Sequence, residues 1–382
     1  MAVNTLPPGA AHHARDFGTF SHNERRVLGL VVRNTRITQA AIRHEMELTQ
    51  QAVSRIVNGL IERGILRSGE RVSDGRRGQP SPQLTVVPEF AYSFGVAIMA
   101  DAVAVGLMDL SGNLLETRLQ GLTPMTRENV LDAVQIMMTQ QVAAHGVDAD
   151  RVFGIGVGVS GYFVDNSPRF NTPAMLPDWA LANVPEIVEH RFGLPVWADN
   201  DGNVAAVGES MVGVGRWARN FAYLYFSAGF GGGIIVDGQL LRGDHGNAGE
   251  CAGILPYNIY AHPNLEFLRQ LVTKHGVALE TVHDLVEKFD PQWTGVDEWI
   301  AKVRDSLSLV CSAISAVLDT TVIVLGGRMP RALAEKVIPQ VEFYSMARRG
   351  LPRPVPKVVA AETDGDATLI GAASLPFTKH FF

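Results

Sequence analysis

Cysteine is nearly absent from this chain, with only Cys251 and Cys311 among 382 residues. That excludes a disulfide framework and any zinc site built mainly from thiolates, and a reducing cytoplasm is the expected setting. No run of about 20 apolar residues occurs, so no helix is expected to span a bilayer. Residues 1–20 lack a continuous apolar stretch of the signal-peptide kind and hold Pro7, Pro8 and Gly9, which reads as a flexible N-terminal arm. Lysine is missing from residues 21–80, where 11 Arg face 6 acids. This segment is +5 in a chain of net charge -6, leaving -11 for the rest. Such asymmetry suits a nucleic-acid-binding module joined to an acidic body, although modest positive charge by itself is common on protein surfaces. The length suits a small unit followed by a large one.

What is present in the first unit has helical periodicity. Val27, Leu28, Leu30 and Val31 share a helix face that ends at Asn34. Thr38 is placed to cap a second short helix carrying Ala41 and Ile42, and Thr49 to cap a third, whose stripe is Val53, Ile56, Val57, Leu60 and Ile61. Two short helices joined by a tight turn are the helix-turn-helix plan. Thr49, Gln50, Gln51, Ser54 and Arg55 lie off the stripe at the start of the third helix, where a recognition helix carries its base-reading side chains. A solvated face on an ordinary three-helix bundle would have similar residues. Two short strands, residues 65–67 and 83–86, then flank a tip containing Arg76, Arg77 and Gln79, which reads as a wing able to set guanidinium groups on phosphates. The predicted DNA-binding domain covers 21–88.

Beyond Pro88 the pattern is α/β. Two strand-turn-strand segments, from Phe94 to Gly112 and from Phe221 to Gly238, resemble each other and suggest two lobes facing a cleft. Glycine-rich turns at Ser227–Gly233 and Gly326–Gly327 allow backbone to approach an oxygen-rich ligand, or merely allow crowded strands. Asn200 and Asp201 follow a strand, where α/β proteins place ligand-binding groups and where helix caps also occur. Glu250 and Glu266 are further acceptors for hydroxyl groups.

Taken in order, Gly75–Pro80, Gly154–Gly161, Asn200–Ala206, Ala248–Glu250 and Ile323–Gly327 resemble the ROK family of repressors, open reading frames and kinases, over nearly all of residues 21–375. The resemblance implies a two-lobed, actin-like sugar-kinase fold over residues 89–382, with the lobe boundary near 200–215 and a sugar in the cleft. It implies that Asn200 and Asp201 contact the sugar, that Asp201 occupies the kinase base position, and that Glu250 and Glu266 are sugar-binding glutamates. Ser160, Gly161 and Asn171 are assigned to the same pocket.

Three departures shape the functional expectation. The kinase Asp-x-Gly-Gly-Thr turn is replaced by Ala97–Asp101, which removes the glycines that hold phosphate. The family's zinc-binding cysteine loop is missing after Glu250, so no metal and no other cofactor is expected. Gly253 stands where the family has a sugar-contacting His. The expected protein is a cytoplasmic homodimer or homotetramer that binds an inverted-repeat DNA operator, represses carbohydrate-metabolism genes, and responds to a sugar effector without catalysis. The alternative is an active sugar kinase with an appended DNA-binding module.

Overall fold

The computed structural model describes residues 16–34, 37–72, 81–164, 169–345, 347–363 and 366–382. Arg76, Arg77 and Gln79, assigned above to a wing tip, lie outside these residues, as does most of the N-terminal arm.

Helix starts in the first body follow side-chain capping, in which a hydroxyl accepts from an N–H that has no partner inside the helix. Ser21 and Glu24 form a capping box at α1 (His22–Arg33). Thr38 ends the two-residue strand β1 (Ile37–Thr38) and caps α2 (Gln39–Met46), and Thr49 caps α3 (Gln50–Glu62). Val27, Leu28, Ile42, Val53, Val57 and Leu60 converge in one core. Strands β2 (Leu66–Val72) and β3 (Ser81–Val86) pair antiparallel, and β1 adds to β3 through Ile37 opposite Leu84. This is a winged helix-turn-helix. β1 is too short to show any alternation in sequence, and its existence depends on the partner strand.

The loose-arm expectation for residues 1–20 needs correction at its end. Phe17 and Phe20 are buried, with ring centroids 6.0 and 5.1 Å from Phe381. Arg63 stacks over Phe20 at 4.2 Å and donates to the Phe17 and Thr19 carbonyls. Two aromatic side chains, each able to bury roughly 150–250 Å², dock a stretch otherwise poor in apolar residues.

The first lobe contains β4 (Tyr92–Ile98), β5 (Ala102–Asp109), β6 (Leu114–Gly121), α4 (Arg127–His145), β7 (Val152–Val159), the short pair β8 (Tyr162–Phe163) and β9 (Phe170–Asn171), α5 (Val184–Phe192) and β10 (Val196–Asn200). Its sheet order is β10-β7-β4-β5-β6. Helix α6 (Asp201–Val212) leads into the second lobe, with β11 (Phe221–Phe226), β12 (Phe230–Val236), β13 (Gln239–Leu241), α7 (Leu265–Lys274), α8 (Val282–Glu287), α9 (Thr294–Leu318), β14 (Val322–Gly327), α10 (Arg331–Val337) and β15 (Lys357–Ala360). The order there is β13-β12-β11-β14-β15. Each sheet places an antiparallel hairpin, β4–β5 or β11–β12, beside a parallel strand, β7 or β14. The repeat seen in sequence is therefore structural.

The chain then returns to the first lobe. Helix α11 (Ala367–His380) packs on α6 and across β4, β5 and β7. Gly208 and Gly371 make this crossing close: a Cβ on Gly208 would overlap the Ala367 carbonyl, and one on Gly371 the Val204 carbonyl. Among the described residues no helix is long and apolar enough to cross a membrane.

Candidate functional site

β10 and α6 meet at Asp199–Asn200–Asp201, which places three polar side chains at the lobe junction. Asn200 is the N-cap of α6, its Oδ1 accepting from Asn203 N at 3.1 Å. Its amide donates to the Gly161 carbonyl at 2.6 Å and to Glu250 Oε1 at 3.4 Å. Asp201, the first residue of the helix, accepts from Ser160 Oγ at 2.5 Å and from Gly202 N at 2.9 Å. Gly161 sits at φ +138, and a Cβ there would press on the Asn171 backbone 2.6 Å away. Asn171 donates to the Tyr162 hydroxyl at 2.6 Å. Ser160, Gly161, Asn200, Asp201 and Glu250 are thus one connected cluster, bordered by Asn171.

Burial makes the carboxyls of this cluster unusual. Asp201 is pushed up to about 6 by desolvation, against the opposing hydrogen bonds from Ser160 and Gly202. Glu250 is pushed up to about 7, first by burial and then by the charge of Asp201. Both groups bind protons more readily folded than unfolded, so the stability they contribute is complete below about pH 4 and is lost as pH rises through 6 and 7. Asp201→Asn is therefore expected to melt a few degrees above the parent protein at pH 8, with the gap shrinking by pH 5, since about 1 kcal/mol shifts such a domain by roughly 2–4 °C. Scanning calorimetry at the two pH values checks this, and a gap independent of pH would contradict the burial argument.

Glu266 stands apart. On α7 its carboxylate is held by Arg269, at 2.6 and 2.8 Å, and by Gln270 at 3.0 Å, rather than by Asn200, Asp201 or Glu250. It lines an inter-lobe cavity of about 720 Å³, with Asp101 and Met175 on the facing lobe. The glycine run of residues 229–233 divides by role: Gly232 and Gly233 allow packing against β11 and α6, while a Cβ on Gly229 would meet nothing within 4 Å.

Several residues at the junction had no role in the sequence reading. Asp101, between β4 and β5, forms a 2.5 Å ion pair with Arg328, directly after β14 in the other lobe, and accepts from His283 N at 2.6 Å. Asn247 clasps the backbone of Phe163 across the lobes with two 2.8 Å bonds. Asp199 accepts from Asn203 Nδ2 at 3.0 Å, while its other oxygen lies 2.5 Å from Arg242 as an ion pair off the hydrogen-bond direction. Asp199 and Asn247 stood next to quoted motif residues, Asp101 closes the altered turn Ala97–Asp101, and Arg328 follows the Ile323–Gly327 motif, but none of the four was assigned a contact. Asp101 and Arg328 are 227 residues apart, and no local pattern links them.

On the first body, Thr49, Gln50, Gln51 and Arg55 are exposed and Ser54 is half-buried at the N-terminal half of α3. Gln50 also reaches Gln39 of α2 at 3.5 Å. This is the geometry by which a helix presents hydrogen-bonding side chains to a groove.

Comparisons with known proteins bear on both sites. A sequence profile described as ROK family matches residues 93–258, and one described as MarR family matches residues 19–77. The glucokinase of Streptomyces coelicolor is 37% identical over 42% of this chain and 49% of its own length. The xylose repressor of Bacillus spizizenii is 26% identical over 60% of this chain and 59% of its own length. The chain thus spans roughly half of these curated relatives. The crystal structure of a ROK family transcriptional regulator, a homologue of the E. coli MLC protein, matches with TM-score 0.66 at 20% identity, over 93% of this chain and 95% of that one. It has the same fold.

Proposed function

We propose that this chain, in which a ROK-family domain stands behind a MarR-type winged helix-turn-helix, is a repressor of carbohydrate-metabolism genes, released from DNA by a sugar or sugar derivative held between its lobes. The observation that carries this reading is the presence of two sites in one chain. One is the exposed Gln50, Gln51 and Arg55 face of α3, and the other is the cluster of buried Asn200 and Asp201 with half-buried Glu250. Gln and Arg pair bidentately with adenine and guanine edges. Asn200 and the two carboxyls offer the donors and acceptors that sugar hydroxyls require. In this reading the wing residues Arg76, Arg77 and Gln79 contact phosphates, and the protein acts in the cytoplasm.

The kinase reading is favoured by Asp201 and by the glucokinase relative. Against it stands the turn Met99–Ala100–Asp101, whose carboxylate is taken up by Arg328. Phosphoryl transfer depends on positioning phosphates and metal, and we read that capacity as lost. A homodimer or homotetramer on an inverted repeat follows from the symmetry of such operators. Exposed Tyr257, Ile259, Val317 and Tyr344 on the second lobe supply apolar surface for a second copy.

The test is a mobility shift of the full chain with DNA upstream of its own gene, with and without a saccharide panel. Specific binding weakened by one saccharide is the expected result. No specific binding, together with ATP turnover on any saccharide, would replace this reading by the kinase one. Arg55→Ala is expected to lower discrimination between cognate and mutated sites by about 1–3 kcal/mol, while leaving nonspecific affinity and its salt dependence nearly unchanged. A uniform loss on all sequences would make Arg55 a phosphate contact instead.

A further inference from the structure

Resting on the regulator reading, the inter-lobe cavity constrains what the effector is. Its volume is about 720 Å³. A hexose has ~12 non-hydrogen atoms, and even at the roughly 30 Å³ that a liquid water occupies, these would fill only about half of that space. Asn200, Asp201 and Glu250 do not line this cavity, but two of its walls run on from the polar cluster along the chain. Ala100 lies two residues past Ile98, whose carbonyl accepts from Ser160 N, and Ala174 lies two residues past Thr172, which abuts Gly161. One ring on Asn200, Asp201 and Glu250 would therefore leave adjoining space empty.

The chemistry of that space is specific. Leu122, Pro124, Met125 and Met175 give it apolar faces, and Met175 is 45% exposed and available to a ligand. Arg269, the one basic side chain among the described lining residues, is occupied by Glu266. Arg328, beside the cavity at Asp101, is occupied by that carboxylate. Asp178 and Glu280 add further negative charge. Arg127, whose guanidinium donates to the Asp178 backbone carbonyl, is a cation at the rim without a carboxylate partner among the described residues, and Asp178, Glu266 and Glu280 outweigh it, so a phosphate or carboxylate would meet net like charge, whereas hydroxyls and the C–H faces of a sugar or aglycone would find partners.

We infer that the effector is a neutral saccharide longer than one ring: a disaccharide, short oligosaccharide or glycoside. Its terminal ring sits on Asn200, Asp201 and Glu250, and its remainder lies between Met175 and Gln270. Sugar phosphates bind more weakly than the neutral ligand.

Calorimetric titration of the full chain tests this, using monosaccharides, their 6-phosphates, disaccharides, and methyl and nitrophenyl glycosides. An extended neutral ligand is expected to bind at least tenfold tighter than its own terminal monosaccharide. Gln270→Trp, filling the cavity from an exposed position, should remove that factor while leaving monosaccharide affinity unchanged, and Met175→Ala should reduce it without adding bulk. Asn200→Ala should weaken both ligand classes. A monosaccharide that binds as tightly as every extended ligand, or a 6-phosphate that binds tighter, would overturn the inference and leave the sugar-responsive regulator standing. Absence of binding by every saccharide would overturn both.

Discussion

Replacement of Phe381 by alanine is expected to destabilise the protein by about 3–5 kcal/mol, the range for truncating a buried aromatic side chain, and to uncouple the DNA-binding body from the lobes. Phe381 is fully buried at the end of α11. Its ring lies 5.1 Å from Phe20 and 6.0 Å from Phe17 of the first body, and 5.2 Å from Phe153 and 6.3 Å from Phe90 of the first lobe. The same helix begins at Asp366, a half-buried cap whose carboxyl is pushed upward by desolvation, and its first turns pack along α6, whose N-terminus carries Asp201. A rigid element packed against both the first body and α6 is a physical route by which a ligand at one site can bias the other. In Phe381→Ala, urea unfolding should shift to lower concentration. At a temperature where the variant remains folded, its operator affinity should stay within a few-fold of the parent, but no longer change when effector is added. Retained effector sensitivity would remove α11 from the coupling route, even if the stability loss appeared.

The second large effect is expected from a methyl group added where two helices cross. Gly371→Ala would place a Cβ into the Val204 carbonyl, and neither α6 nor α11 has a flexible side chain there to move aside. Backbone must give way, at about 1–3 kcal/mol or somewhat more for overpacking. Because Asp201 opens α6 only three residues before Val204, displacement of that helix should also weaken effector binding by more than tenfold. Gly59→Ala is the contrasting control. That glycine lies inside α3 with nothing within 4 Å of an added Cβ, so stability should rise by about 0.5–1 kcal/mol. Thermal unfolding and titration of both variants separate a steric cause from a general intolerance of glycine replacement, which would lower the stability of both.

The helices of the first body were legible because their signals are local. Thr38 and Thr49 accept hydrogen bonds from backbone N–H groups three residues on, and the stripe through Val53, Val57 and Leu60 needs only helical geometry to become a buried face. The hairpin repeat was legible for the same reason, being written in alternation and turn residues. Asn200 and Asp201 were found because a strand end followed by a helix start is a short-range pattern. Glu266 was grouped with Glu250 by family resemblance, but its own neighbours on α7 capture it: Arg269 and Gln270, three and four residues along, lie on the same helix face.

By itself, then, the sequence determined the winged helix-turn-helix and the two-lobed α/β body, since each arises from contacts between near neighbours or from repeating pattern, whereas the grouping of Ser160, Gly161 and Glu250 with Asn200 and Asp201 came through the family resemblance, the partners being 39 to 50 residues apart. Only the tertiary structure decided that α11 returns to join the DNA-binding body to the cleft, that Phe17 and Phe20 are docked, and that Asp101 is held by Arg328. These are pairings of groups far apart in the chain, and burial, which raises Asp201 and Glu250 and makes the Phe381 cluster cohesive, is a property of the assembled neighbours rather than of any one residue.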